Sequence, residues 1–283
     1  MLRSLLFVPG DRPERFAKAA SSGADAIILD LEDSVALAGK DAARQSVADY
    51  LSGPRAERVF VRINPLDSGH AEADLAAILP GRPDGIMLPK AEGAQSVAAL
   101  AALTGQGTVP VLPLVETPSA ILDLATYRTC AGALAGLTWG AEDLPAAVGA
   151  AGAREGEGRY APPFETARSL VLFAAHAAGI EPIETVFPDI ADAQGLDLYA
   201  RRARRDGFAG MLAIHPAQVP VINAAFTPTA DEIAHAREIV ALFAADPSVG
   251  VVQLRGKMVD RPHLRQAEAV LRRAGQASPR TPG

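Results

Sequence analysis

Short apolar runs alternate along the chain with stretches in which apolar residues recur every third or fourth position, the signatures of strand and helix taking turns. SLLFVPG opens the series, followed by a helical PERFAKAASSG, then DAIILDLED and a helix near residues 38–52. The pattern continues through RVFVRIN, GIMLPK, VPVLPLVET and LTWGAED, and after a helix around residues 163–178 it resumes with EPIETVFPD and GMLAIHP. Strands that are nearly continuous in apolar residues and separated by crossover helices form parallel sheets buried on both faces. Eight such units in succession predict an α/β fold, a (β/α)8 TIM barrel over residues 1–226, with a doubly wound open sheet as the alternative.

Beyond Pro216 the rhythm becomes helical. TADE at 229–232 spells a capping box ahead of an amphipathic run, and a second helix follows Arg261, so residues 227–275 are expected to form a C-terminal helical extension. Between the two helices lies SVGVVQLRGKMVD, glycine-containing and mixed, which suits a hairpin or a reaching arm. Residues 276–283, QASPRTPG, are polar with Pro and Gly and are expected to be a disordered tail.

Composition acts mainly by exclusion. The chain's 283 residues, about half of them apolar, can bury a full-sized core. A formal net charge of -6, with arginines scattered except for RRARR at 201–205, leaves no basic surplus for a phosphate backbone. Nucleic acid is therefore not expected as a partner, and the arginine run reads as the solvated face of a helix. Cys130 is the only cysteine, which rules out an internal disulfide and a thiolate metal cluster and fits a reducing cytoplasm. Leu5 to Pro9 is shorter than a signal-peptide core, and no apolar run approaches the roughly 20 residues of a membrane span, so no membrane association is expected.

The chemistry is concentrated where the strands run out, the place from which a barrel draws its catalytic groups. Strand two ends in Asp30, Glu32 and Asp33, strand three offers Arg62 and Asn64, strand four ends in Lys90, strand five in Glu116, and strand six leads into Asp143. The period-two rule puts Phe60, Arg62 and Asn64 on one face, Asp30 and Glu32 on one face, and Leu112, Leu114 and Glu116 on one face. If those faces turn inward, five carboxylates converge against Arg62 and Lys90. Like charges packed so closely must take up protons or hold a cation. The available ligands are oxygens, and no histidine lies in a ligand spacing with another, so Mg2+ is the expected ion. Competing structural roles are clear for several of these residues. Asp33 could cap the following helix, Glu116 precedes the helix-starting Thr117 and Pro118, and Glu142 could replace Asp143. Lys90 could be a Schiff-base amine, yet the surrounding acids would keep it protonated, which favours a salt bridge.

Seven segments, RSLLFVPGDRP, ILDLEDSV, VFVRIN, MLPKAE, PLVETP, WGAEDL and AIHP, resemble in order and spacing the citrate lyase beta-subunit-like branch of the HpcH/HpaI aldolase family, over about residues 2–265. The resemblance implies a magnesium-dependent (β/α)8 barrel, with Glu116 and Asp143 as metal ligands and Glu142 as a bystander. It implies that Arg62 binds the carboxylate of a keto acid, and that Asp30, Glu32 and Asp33 surround the metal's water, with Lys90 beside them. Gly10 and Arg12 fall in the loop that shapes the acyl-carrier end. GKMVDRPHLRQA matches a motif of stand-alone acyl-CoA lyases whose aspartate, here Asp260, reaches a neighbouring subunit's site as an acid/base. Asp260 before Arg261 and Pro262 is equally a well-formed helix N-cap.

The activity implied is cleavage of a carbon–carbon bond in a 3-hydroxy-acyl thioester of the citryl-, malyl- or citramalyl-CoA type, giving an α-keto acid such as oxaloacetate and an acyl thioester. Magnesium would chelate the hydroxyl and carboxylate oxygens, Arg62 would hold the carboxylate, and Asp260 would protonate the thioester enolate. The carrier would be coenzyme A or an acyl-carrier protein, and the assembly a homo-oligomer, trimer or hexamer. Two alternatives stand beside this: a malate synthase or acyl-CoA thioesterase on the same site, and a non-catalytic barrel that binds an acyl-carrier partner.

Overall fold

The computed structural model describes residues 2–105, 109–155, 159–246 and 248–275; the expected disordered tail at 276–283 lies outside the described residues. The eight expected strands are all present: β1 (Ser4–Pro9), β2 (Ala26–Asp30), β3 (Arg58–Arg62), β4 (Gly85–Leu88), β5 (Val111–Val115), β6 (Thr138–Trp139), β7 (Ile183–Glu184) and β8 (Gly210–Ala213). They pair in parallel in the order β6-β5-β4-β3-β2-β1-β8-β7. A further parallel bridge, Leu137 with Pro182, joins the two ends of that order, so the sheet closes into the expected barrel and the open-sheet alternative falls.

Closure follows from the apolar pattern. Leu5, Ala26, Ile28, Phe60, Met87, Leu112, Leu114, Ile183 and Leu212 form one buried cluster, and their alternation along each strand fills the barrel interior. The intervening residues, Ile27, Leu29, Val59, Val61 and Ile86 among them, are buried as well. They face the surrounding helices, whose inner stripes recur at helical spacing. In α7 (Pro162–Ala178) the buried positions are Phe164, Ala167, Arg168, Val171, Leu172 and Ala175. In α8 (Ala193–Asp206) they are Leu196, Ala200 and Ala203. The RRARR run lies on α8, where Arg201 pairs with Asp197 at 2.8 Å and Arg202 with Glu165 at 2.7 Å, around the buried Ala203. It is the outer, charged face of a barrel helix.

The chain divides into two compact units, one spanning Leu2–Asn223 and the other running from Ala224 onward. The second is built on α10 (Ala230–Ala245), the antiparallel pair β9 (Val251–Leu254) and β10 (Lys257–Asp260), and α11 (Arg261–Arg273). It has its own core, in which Ala236, Ile239 and Phe243 of α10 meet Val259, Ala267 and Leu271. Its elements start as their sequences require. Thr229 and Glu232 form the capping box, with Glu232 N donating to Thr229 Oγ1 and Thr229 N to the Glu232 carboxylate. The ambiguous segment is a hairpin whose turn places Arg255 at φ 50° and Gly256 at φ 76°, the left-handed pair that a tight two-residue connection demands. No helix among the described residues is long and apolar enough to cross a membrane.

Candidate active site

Asp30 and Arg62 are partners in the β2–β3 register, and with both strands turning that face inward they meet across the barrel mouth. Arg62 Nε donates to Asp30 Oδ1 at 2.6 Å and Nη2 to Oδ2 at 2.7 Å, both groups buried. The same carboxylate accepts the backbone N–H groups of Glu32, at 2.9 Å, and Ser34, at 3.0 Å. Burial works against ionising Asp30, but the Arg62 charge and these four donors outweigh it and hold the carboxyl below its ordinary range. Four donors fill the lone pairs of Asp30, which leaves it to anchor Arg62 rather than to ligate an ion.

Glu32 bridges the two cations. Its Oε2 lies 3.0 Å from Arg62 Nη1 and its Oε1 accepts from Lys90 Nζ at 2.8 Å. Burial raises its pKa although both cations oppose the shift, and Oε2 makes no hydrogen bond of good geometry. The Lys90 ammonium is raised by Glu32 against the effect of its own burial, so it is a protonated salt-bridge partner and not a free amine. Asp33 stands at the rim, 56% exposed and 3.7 Å from Arg62. It caps nothing: the next helical turn begins at Leu37, and α2 (Lys40–Ser52) takes Gly39 as its N-cap. The helix-cap reading of Asp33 is therefore corrected, because an Asx-type turn held by Asp30 separates it from the helix.

Asn64 also departs from expectation. β3 ends at Arg62, and past that point the two-residue alternation no longer governs direction. Asn64 donates from Nδ2 to Asp74 Oδ2 at 2.7 Å and to Leu31 O at 2.9 Å, so it braces the β2 loop outside the carboxylate cluster. Lys40, buried under the same loop, donates to the carbonyls of Leu31 and Glu32, each at 2.7 Å. Gly10 supports β2 from the other side. Its N–H donates to Asp30 O at 2.8 Å, and a Cβ there would stand 2.7 Å from that oxygen. Arg12 is exposed, 3.8 Å from Asp11. A cavity of about 350 Å3 opens beside this end of β1, lined by Pro9, Arg15, Lys18, Ile214 and His215 among others.

Glu116 follows β5 and is 2% exposed. Thr117 caps the short helix Pro118–Leu122, accepting from Ala120 N, so Glu116 has no capping task. Its Oε1 accepts the backbone N–H of Lys90 at 2.9 Å. That N–H is aimed by a strained backbone, since Lys90 sits at φ 50°. Oε2 lies over Gly140, where a Cβ would come within 2.6 Å of it. Burial first, then the charges of Asp143 and Glu32, push the Glu116 carboxyl up to about 8. Asp143 opens the helix Asp143–Ala147 and is half-buried, whereas Glu142 is exposed and turned to Arg154 at 3.8 Å.

The mouth thus joins an arginine held by Asp30 to a pair of carboxylates, Glu116 and Asp143, and at Glu116 burial and their mutual repulsion outweigh the Lys90 N–H and charge. No group of three or more His, Cys, Asp and Glu side chains suited to a metal occurs among the described residues. Two carboxylates suit Mg2+, which keeps several waters and takes its remaining oxygens from a substrate. Asp260 belongs to the second unit. Its carboxylate caps α11, accepting from His263 N at 3.4 Å with His263 Nδ1 2.5 Å away, and the His263 contact holds its pKa below the ordinary value.

A parallel eight-stranded barrel with acids at its strand ends is a frame for metal-assisted chemistry, and the class is a carbon–carbon lyase: residues 184–276 match the pattern described as C-C_Bond_Lyase of the TIM-Barrel fold. The chain belongs to the HpcH/HpaI aldolase/citrate lyase family, whose pattern matches residues 3–216. It is 42% identical over 273 residues to the citrate lyase subunit beta-like protein of Mycobacterium tuberculosis, covering 96% of each chain. It is 33% identical to the L-malyl-CoA/beta-methylmalyl-CoA lyase of Cereibacter sphaeroides, covering 98% of this chain and 95% of that one. The crystal structure of CitE from M. tuberculosis in complex with magnesium, acetoacetate and coenzyme A superimposes with a TM-score of 0.84 at 40% identity, covering 96% of this chain and 98% of that one.

Three features of the mouth lie beyond what sequence reasoning identified. They are the space left by Gly140, the left-handed backbone of Lys90 and the side-on, two-bond hold of Asp30 on Arg62. A glycine directly before the acidic turn of WGAED is the one sequence signal that could have pointed to the first.

Proposed function

We propose that this barrel is a Mg2+-dependent lyase that splits a 3-hydroxy-acyl-CoA thioester into an α-keto acid and a shorter acyl-CoA. One observation carries the reading: Glu116, almost wholly buried, faces Asp143 and is pushed up to about 8, an arrangement that a divalent cation would relieve. Glu116 and Asp143 would hold the ion, which supplies Lewis acidity for the negative charge that grows on the hydroxyl oxygen.

The protein's own groups account for the remaining steps. Asp30 takes Nε and one N–H of Nη2, and Glu32 lies 3.0 Å from Nη1, so the second N–H of Nη2 and the N–H of Nη1 turned away from Glu32 would meet a substrate carboxylate. Glu32 and Lys90 fix the position of that fork. As the hydroxyl passes its proton to a solvent base, its C–O bond becomes the carbonyl of the keto acid. The bond from that carbon to the thioester's α-carbon breaks, and its electron pair passes into the thioester as an enolate. Asp260 of a neighbouring subunit would return a proton to that α-carbon. The charges of Arg15 and Lys18, with the His215 ring beside them as a hydrogen-bonding group, line the cavity beside β1 and suit the phosphates of coenzyme A. The CoA complex of the M. tuberculosis protein and the malyl-CoA activity named for the C. sphaeroides relative support that carrier.

The test is to incubate the protein and Mg2+ with citryl-, malyl- and citramalyl-CoA, identifying the keto acid and measuring free CoA separately. The expected result is glyoxylate, pyruvate or oxaloacetate in equal amount to acyl-CoA, abolished by chelation. Free CoA in place of acyl-CoA identifies a thioesterase or synthase, and binding without turnover identifies a non-catalytic carrier barrel. Either outcome overturns the proposal.

A further inference from the structure

The barrel is unevenly sewn. β1 and β2 pair continuously from Leu5 with Ala26 to Pro9 with Asp30, whereas β6 and β7 share a single backbone bridge, Leu137 with Pro182. That bridge consists of Leu137 N to Glu181 O at 2.9 Å and Ile183 N to Leu137 O at 2.8 Å. Closer to the mouth, side chains take over the seam. Trp139 Nε1 donates to Glu184 Oε1 at 2.7 Å, and Ala141 N donates to Thr185 Oγ1 at 3.4 Å.

Glu184 is a fully buried carboxylate on the outer face of β7. Thr185 N reaches the same Oε1 at 2.9 Å, and Arg168, 3% exposed on α7, donates from Nε to Oε2 at 2.6 Å. Arg168 is fixed in turn by Asp206 at 2.9 Å and lies over the Phe208 ring at 4.7 Å. Glu184 is met on both oxygens and Arg168 is held through Nε and Nη1, although its buried Nη2 has no hydrogen-bond partner, so the pair is fixed at the Glu184 end. What it holds is the indole of Trp139, the residue before Gly140 and four before Asp143. Gly140 continues the ladder one residue past β6, its N–H donating to Val115 O at 3.0 Å, and its Cα faces Glu116, where a Cβ would stand 2.6 Å from Oε2. The outward-anchored indole thus holds the residue next to the one that makes room for Glu116.

We propose that the Arg168–Glu184–Trp139 relay, on the outside of the barrel, is a positioning device that locks the Gly140–Asp143 turn for cation binding. The inference rests on the reading of Glu116 and Asp143 as the metal site. All three members are buried outside the barrel interior and hydrogen-bonded to one another through Glu184.

The test uses the full chain and Mg2+ alone, with affinity measured by calorimetry. Trp139→Phe keeps the ring and loses the donor, while Glu184→Gln keeps an acceptor and loses the charge partner of Arg168. Both variants should stay folded by circular dichroism and bind Mg2+ about tenfold more weakly, the usual effect of removing a group that orients a ligand. Trp139 is the only tryptophan, so Mg2+ should also change the emission of the wild-type protein and change it less in Glu184→Gln. If Trp139→Phe does not fold, Glu184→Gln alone decides. Unchanged Mg2+ affinity in the folded variants, with binding abolished by Asp143→Asn, overturns the relay and leaves the metal site standing. Unchanged affinity in Asp143→Asn itself overturns the metal-site reading on which the relay depends.

Discussion

With its carboxyl held up to about 8, Glu116 binds a proton more tightly in the folded chain than in the unfolded one, where its value is 4.5. Between those two values the folded state carries the extra proton, so the stability of the metal-free protein falls as pH rises from 4.5 towards about 8. Magnesium competes with that proton. Its affinity should therefore rise by about tenfold per pH unit up to about pH 8 and then level off, with one proton released per ion bound. Calorimetry in two buffers of different ionisation enthalpy measures the released proton directly, and Glu116→Ala should remove both the binding and the lyase activity. A pH-independent affinity with no proton release would contradict the assignment of Glu116. Arg62 makes a different kind of prediction. Arg62→Lys retains a charge near Glu32 but cannot hold Asp30 side-on and present a second fork, so keto-acid affinity should drop by about 10- to 100-fold. Mg2+ affinity should change much less, and equal losses of the two in titrations of the variant would count against a carboxylate-binding role.

Elements were far more legible in the sequence than the contacts between them. The period of the apolar runs carried all eight strands, because burial on both faces leaves a continuous hydrophobic signal. The same period correctly put Arg62 and Asp30 on inward faces, since both lie within their strands. It failed for Asn64 two residues later, where the strand had ended and tertiary partners chose the direction. It could not reveal the Trp139–Glu184–Arg168 relay, whose members lie on three elements and look like ordinary core and surface residues in isolation. The start of α11 shows the limit most sharply, because one residue type serves two roles. As an N-cap, Asp260 can be replaced by Asn at little cost, whereas Ala should lower the second unit's melting temperature. As a proton donor it cannot be replaced by Asn at all. Asp260→Asn should therefore keep the wild-type melting temperature and lose most turnover. A fully active Asp260→Asn protein would reduce Asp260 to its cap.

At the scale of the whole molecule the proposed chemistry is divided: the carboxylates and Arg62 belong to the barrel unit, and Asp260 to the unit that starts at Ala224. Each unit has its own core. A proton donor on a separate module can act within its own chain or on another copy, and the two arrangements differ in what a mixture can do. An Arg62→Ala chain has a defective carboxylate site but an intact Asp260, while an Asp260→Ala chain has the reverse. If Asp260 acts on a neighbouring subunit, co-assembled mixtures contain some sites with an intact Arg62 from one chain and an intact Asp260 from the other. In a ring mixed one to one at random, about a quarter of the sites are of this kind, by the statistics of a closed cyclic assembly. Activity should then return to about a quarter of the wild-type level after the two inactive proteins are unfolded and refolded together, and not after simple mixing if subunits do not exchange. Size-exclusion chromatography with light scattering on the same samples establishes that mixed assemblies formed. Mixed assemblies that remain inactive would assign Asp260 to its own chain or to the cap of α11 alone.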